Sequence, residues 1–318
     1  MGLSAVILAA GEGKRLKTGR AKVLHEAGGR PLLDHVLAVV GPLAPDRTIV
    51  VVGHLREQVE AHLAGRGVAL AVQDPPRGTG DALAKALPFL PEAGEVLVLS
   101  GDVPLITAVT LAAIVELRRS TGASAALATA VLADAGAYGR IVRSRAGDVT
   151  AIVEAKDASD VQGAIREVNG GTYVFDLSKL RPALAQLRPN NAQCEYYLTD
   201  VIGTLVAAGL EVAGFPLADV AEMAGVNSRA DLAEVHRLLN ARVIGRLQAA
   251  GVAVLDPATT WVEEDCRVGP DTVLEPGVHL RCGCTLGERC RIGAGSVLEG
   301  VTLEAGATIP PLTFRRTG

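Results

Sequence analysis

No run of lysine and arginine stands out in these 318 residues, and the formal charge is -4. A track for a phosphate backbone is therefore missing, which argues against nucleic acid as a partner. No apolar stretch approaches the roughly 18 residues needed to cross a bilayer. The apolar opening from Met1 to Ala10 has no basic residue before it, and glycines and charges follow at once. It reads as a buried first strand and not as a signal peptide, so a cytoplasmic location without a membrane partner is expected. Cysteine is scarce too. There are five, an odd count, and four of them (Cys266, Cys282, Cys284, Cys290) fall near the end of the chain. Cys282-Gly283-Cys284 with Cys290 brings zinc to mind, but the spacing is wrong for paired knuckles.

What the chain has is length and apolar content. At 49% hydrophobic it can bury one large core and a smaller one without staples. Residues 3–10 give way to a Gly-rich turn and a helical pattern from Pro31 to Val39. Thr48 to Gly53 reads as a second strand and Leu55 to Leu63 as a second helix. The short apolar runs Val68–Val72 and Val96–Leu99 lack polar alternation, which predicts strands buried on both faces of a mostly parallel, helix-covered sheet. Ligands of such sheets bind at the carboxyl ends of the strands. There the chain places Gly11-Glu12-Gly13-Lys14-Arg15, then Gln73 with Gly78-Thr79-Gly80, then Ser100-Gly101-Asp102.

Farther on, Leu232, Val235, Leu238, Leu239, Val243, Ile244 and Leu247 recur at helical spacing, which predicts a connecting helix. Beyond Asp256 an aliphatic residue opens each unit of six, at Val262, Val268, Leu274, Leu280, Leu286, Ile292 and Leu298, then at Leu303 and Ile309. A short fixed period means a solenoid, here a parallel β-helix of about two and a half turns at three units to a turn. The fifth place is small or branched (Cys266, Thr272, Val278, Cys284, Cys290, Ser296), so three of the cysteines become interior filler. The open end of such a coil calls for capping or a partner chain. The expected bounds are a first domain over 1–227, a linker helix over 228–250 and the repeat over 251–318.

The chemistry gathers in the strand-end loops. A glycine-rich turn between strand and helix turns backbone N–H groups toward phosphate. Leu16 stands where the dinucleotide fingerprint would put its third glycine, which disfavours a nicotinamide enzyme, and no Gly-Lys-Ser/Thr follows for a P-loop. Lys14, Arg15, Lys17, Arg20 and Lys22 suit a triphosphate, or equally a solvated basic loop. Phosphoryl transfer needs charge neutralisation and positioning more than a covalent nucleophile, and Arg15 and Lys22 could supply both. Asp102, next to a glycine at a strand end, suits magnesium, or else a turn before Pro104. Gln73 carries the donor and acceptor needed to read a base edge. Tyr138-Gly139-Arg140, Glu154, Asn169-Gly170-Gly171 and Glu195-Tyr196-Tyr197 offer carboxylate, amide and aromatic groups of the kind that bind sugars, or turns and core tyrosines.

Leu8-Ala9-Ala10-Gly11-x-Gly-x-Arg15 followed by Lys22-Val23-Leu24-His25 closely resembles the signature of sugar-nucleotide pyrophosphorylases. Gly78-Thr79-Gly80, Gly101-Asp102-Val103-Pro104-Leu105, Tyr138-Gly139-Arg140, Val153-Glu154-x-Lys156-Asp157-Ala158, Asn191-Ala192-Gln193-x-Glu195-Tyr196-Tyr197-x-Thr199-Asp200 and Gly225-Val226-Asn227 extend the likeness over nearly the whole chain. They resemble the bifunctional N-acetylglucosamine-1-phosphate uridylyltransferase/glucosamine-1-phosphate acetyltransferase family. The resemblance implies a nucleotidyltransferase domain of α/β, Rossmann-like (GT-A-like) form with a left-handed β-helix. It implies UTP and N-acetylglucosamine 1-phosphate as substrates. Leu8, Ala9, Ala10, Gly11, Gln73, Gly78 and Thr79 would then hold the uridine, Gly139, Glu154 and Asn169 the sugar, and Ser100 and Gly101 would also bind substrate. Arg15 and Lys22 would serve the phosphates, and Asn227 would join Asp102 on Mg2+.

Ala21, Ser100 and Gly170 depart from the proline, tyrosine and threonine usual in the family, and Ser100 and Gly170 border the sugar pocket. The resemblance also implies a trimer through the β-helix and an acetyltransferase site on coils later than those present, so that second activity is not expected of these 318 residues. The alternatives are a pyrophosphorylase that uses another base, or a non-catalytic sugar-nucleotide sensor.

Overall fold

The computed structural model describes residues 2–317, which divide into two compact units. The first comprises residues up to His25 together with Leu32–Arg229. The second comprises Ala230 onward together with the short stretch Glu26–Pro31.

The first unit is built on one sheet. Its strands are β1 (Leu3–Leu8), β2 (Arg47–Val52), β3 (Ala69–Val72), β4 (Glu95–Ser100), β5 (Ala125–Val131), β6 (Arg140–Arg143), β7 (Val149–Val153), β8 (Glu167–Asp176) and β9 (Val212–Pro216). They run in the order β9-β5-β8-β4-β1-β2-β3, with β6 and β7 attached beside β8. Strands β4, β1, β2 and β3 are parallel, β9 is parallel to β5, and only β8 on this path is antiparallel to its neighbours. Helices α1 (Leu32–Val40), α2 (Arg56–Leu63), α3 (Thr79–Ala86), α4 (Ala108–Thr121), α5 (Leu177–Leu184) and α6 (Asp200–Ala207) cover it. Alternate residues of β1 go to different cores, Ala5 and Ile7 to one and Val6 to the other, so both faces are dry.

That reading fails for β3. It is the edge strand, Val72 is 40% exposed, and Ala69 and Leu70 are only half-buried. An apolar run bounded by turns looks the same at an edge as in the middle.

The sheet also buries charge. Glu95 is 1% exposed and takes Arg119 at 2.6 Å and Arg118 at 3.3 Å, both from the last turn of α4. Arg118 is itself buried.

In the second unit α7 (Arg229–Ala249) lays Val243, Ile244 and Leu247 on the interior of a parallel β-helix, and its Val235 is buried as well. Asn240 fixes the join: its Nδ2 donates to Thr260 O at 2.8 Å and its Oδ1 accepts from Val262 N at 2.9 Å. The coil has three faces of four, four and three strands, so it is longer than the two and a half turns that the aliphatic spacing predicts. Two strands lie outside the nine aliphatic positions named above, Ala253–Val254 at the start and Phe314–Arg316 at the end. Stacked aliphatics fill the interior, and Cys266, Cys284, Cys290, Thr272, Val278 and Ser296 are at most 4% exposed there. Cys282 lies outside, exposed.

Candidate active site

Three loops meet at the carboxyl ends of β1, β3 and β4. The chain runs outward from β1 to β2 and β3, then returns to place β4 on the other side of β1, so the loops after β1 and β4 flank the point where strand order reverses. The crevice there has a volume of about 470 Å³. Among its lining residues are Leu8, Ala9, Ala10, Gly11, Lys22, Gln73, Gly78, Thr79, Ser100 and Asp102. A cavity of about 600 Å³ in the second unit is larger, lined by Trp261, His236, His279 and Arg281 among others, and it holds none of the catalytic, substrate or metal candidates of the sequence.

The walls are held by backbone. Ala9 N donates to Val51 O at 2.8 Å and Gly101 N to Leu8 O at 2.9 Å, tying the first and third loops to the central strands. Gly13 has a φ of 60°, and a Cβ there would stand 3.0 Å from Lys22 Cβ, so glycine lets the turn close on the lysine. At Gly78 the φ is 103° and a Cβ would come within 2.6 Å of Tyr196 O. The hairpin-like contact continues as Gly80 N donates to Tyr196 O at 2.8 Å and Leu198 N to Thr79 Oγ1 at 3.1 Å.

The charged centre is a triad drawn from three distant parts of the chain. Lys22 Nζ lies 2.5 Å from Asp102 Oδ2 and donates to Asn227 Oδ1 at 2.8 Å. The Lys22 and Asp102 side chains are each 15% exposed. Val226 N donates to Asp102 O at 3.0 Å, which brings Asn227 to the strand end although 125 residues separate it from Asp102. Two hard oxygens thus converge on one cation. Arg15 is exposed and makes no hydrogen bond or ion pair among the described residues, and Lys14 pairs with Glu12 at 2.5 Å.

Gly139, Glu154 and Asn169 do not line this crevice; they form a cluster of their own. Asn169 N donates to Gly139 O at 2.9 Å, Asn169 Nδ2 to the Tyr173 hydroxyl at 2.6 Å, and Thr199 Oγ1 to Glu154 Oε1 at 2.9 Å. Burial pushes the Glu154 carboxyl above its ordinary range; the Thr199 hydroxyl opposes this in part, and Asp200 and Asp157 add to it. The segment Glu195–Thr199 joins the two clusters, with Tyr196 backing Gly78 and Thr199 holding Glu154. Tyr197 is buried.

Gly170 has a packing reason. A Cβ there would stand 2.9 Å from Ala128 Cβ, at a register break between β8 and β5, so the backbones approach too closely for a threonine without a shift.

Gln73 is more constrained than its sequence setting suggests. It is buried, and its Nε2 donates to Gly78 O and to Asp81 Oδ2, each at 2.9 Å. Its donor is therefore spent inside the protein. Asp81 escapes notice in the sequence because an acidic residue in the first turn of a helix reads as dipole compensation.

Comparison with known proteins agrees with this architecture. The family model of the MobA-like NTP transferase domain matches residues 5–193, and the model of six bacterial transferase hexapeptide repeats matches residues 265–300. The chain belongs to the MobA-like NTP transferase family. The particular members it resembles are bifunctional GlmU proteins. It is 46% identical over 311 residues to that of Streptomyces coelicolor, a match covering 96% of this chain and 64% of the relative. It is 44% identical over 314 residues to that of Mycobacterium tuberculosis, covering 96% and 63%. For Brevibacillus brevis the figures are 43% over 308 residues, covering 96% and 67%. The chain thus spans 63–67% of the length of these curated relatives. Among the described residues no helix is long and apolar enough to cross a membrane.

Proposed function

We propose that the first unit joins UTP to N-acetylglucosamine 1-phosphate, releasing pyrophosphate and forming UDP-N-acetylglucosamine. The observation that carries this reading is the convergence of Lys22, Asp102 and Asn227 at one corner of a crevice walled by Leu8–Gly11, Gln73 and Gly78–Thr79. A phosphate oxygen of the sugar phosphate attacks the α-phosphorus of UTP. The new P–O bond forms as the bond to the β-phosphate bridging oxygen breaks, and its electron pair leaves with pyrophosphate. The attacking oxygen is already anionic, so no general base is needed. Charge must instead be neutralised and the two phosphates aligned. Lys22 and the exposed Arg15 supply cations to the non-bridging and departing oxygens. Backbone around Leu8, Ala9, Ala10 and Gly11, with Gly78 and Thr79, borders the nucleotide, and Ser100 and Gly101 border the substrates. Gly139, Glu154 and Asn169 receive the N-acetylated sugar.

Magnesium fits the donor set. Asp102 Oδ2 and Asn227 Oδ1 are hard oxygens already facing a common positive charge, and no group of three or more acidic, His or Cys side chains forms a complete cage among the described residues. This suits an ion that keeps waters and takes phosphate oxygens. When bound, it would lower the charge on the reacting phosphates.

Cytoplasmic location and association in threes through the β-helix belong to the same proposal. The second activity, which the resemblance attaches to later coils, does not. Incubation of the protein with each of four nucleoside triphosphates and a panel of sugar 1-phosphates, read by pyrophosphate release, tests the reading. A preference for ATP, dTTP or GTP over UTP would sink it.

A further inference from the structure

The Gln73 amide is fixed by partners that leave no choice of orientation. Its Nε2 lies 2.9 Å from Gly78 O and 2.9 Å from Asp81 Oδ2. A backbone carbonyl and a carboxylate only accept, so turning the amide over would set Oε1 against two oxygens. Asp81 is held in its turn: Arg77 donates to Oδ1 at 2.8 Å, and the Arg77 guanidinium carbon lies 5.7 Å from the centre of the Tyr196 ring. Tyr196 N donates back to Arg77 O at 2.8 Å. Gln73 and Asp81 are 4% and 8% exposed, so water is a poor substitute for these bonds. Gln73 Oε1 makes no hydrogen bond among the described residues, and Gln73 lines the crevice.

We propose that Asp81 is a positioning residue that sets base specificity. By holding the Gln73 nitrogen it leaves only the carbonyl oxygen to meet the nucleobase, which selects uracil, whose N3 carries a hydrogen, over cytosine, whose N3 accepts. This rests on the reading of Gln73 as a base contact made above. Asp81→Asn keeps the shape but can turn an NH2 toward Gln73, so that the reversed amide, with its donor outward, is opposed by one oxygen, Gly78 O, instead of two. Asp81→Ala removes one of the two acceptors and loosens the amide without reversing it.

The test compares kcat/KM for UTP and CTP, at fixed sugar phosphate, in the unaltered protein and both variants, together with binding of UTP and N3-methyl-UTP to the unaltered protein. The preference for UTP over CTP should fall by at least about tenfold in Asp81→Asn and by less in Asp81→Ala, with the KM for the sugar phosphate unchanged. N3-methyl-UTP should bind at least about tenfold more weakly than UTP. A structural role alone would lower both nucleotides by one factor, and that result in the folded variants overturns the proposal. Equal binding of UTP and its N3-methyl form overturns it without recourse to any variant. An unaltered protein that prefers a different base overturns the uridylyl reading and this one together. A UTP preference that survives Asp81→Asn overturns this one alone.

Discussion

Both units are held together by parallel strands, yet they bury different things. The first encloses ionisable side chains: Glu95, Arg118, Arg140, Asp81 and Glu222 are all under 9% exposed. The second, among the described residues, encloses no charge at all. Its buried polar side chains are Asn240, Thr260, Thr272 and Ser296, alongside three thiols. A sheet whose strands end in loops has room to pair charges and to aim them at a ligand. A coil that turns every six residues admits only small groups at its corners, and those serve the coil itself. Thr272 Oγ1 donates to Gly287 O at 2.9 Å and accepts from Cys290 N at 3.1 Å, one rung to the next.

The contrast can be pressed from the strongest effect downward. Glu95→Ala should destabilise the first unit by about 3 kcal/mol, because Arg119 loses its carboxylate and the buried Arg118 guanidinium is left with Asp176 alone, at 3.4 Å. Chemical denaturation followed by tryptic mapping of the two units would show it, and a loss under about 1 kcal/mol would mean that Asp176 alone suffices for Arg118. Lys22→Ala should cut pyrophosphate release by about 10²–10³-fold while leaving the melting curve nearly in place. A retained rate would remove Lys22 from the phosphate site. In the second unit, Thr272→Val orphans a carbonyl and an N–H, and about 1–3 kcal/mol should be lost with turnover per folded molecule unchanged. The smallest effect is pH-dependent. Burial raises the Glu154 carboxyl in the folded protein, so its ionised form is a liability above that raised pKa and none below the ordinary value near 4.5. Glu154→Gln should therefore gain thermal stability relative to the parent at pH 8 and lose that advantage at pH 4. An equal shift at both values would contradict the burial argument.

Much of the fold is legible because apolar periodicity reports burial directly. The strands β1 and β4, the helix α7 and the stacked aliphatics from Val262 to Ile309 are read from spacing alone. The outermost coils are not, for identifiable reasons. Val254 and Val262 are eight residues apart, which breaks the period, and Arg315 takes the place opposite Leu298 where an aliphatic residue would open the last unit. The site is legible as loops but not as geometry. Glycines, cations and Asp102 announce themselves at strand ends. The meeting of Lys22, Asp102 and Asn227 depends on a backbone bond from Val226 that no local pattern encodes. Gln73 stood out, but what its amide presents is decided by Asp81, eight residues on and a turn into the helix.

The stretch Glu26–Pro31 leaves the first unit after His25, forms a two-stranded ladder, belongs to the second unit and returns at Leu32. A Cβ at Gly28 would touch Leu239 on α7, and Arg30 Nη1 donates to Glu264 at 3.0 Å. The units are therefore not beads on a string that recombination could exchange at a single joint. A cut at Arg229 would leave six residues of the amino-terminal fragment without their platform, so a catalytic domain shared intact among different tails has to carry a matching helix with it.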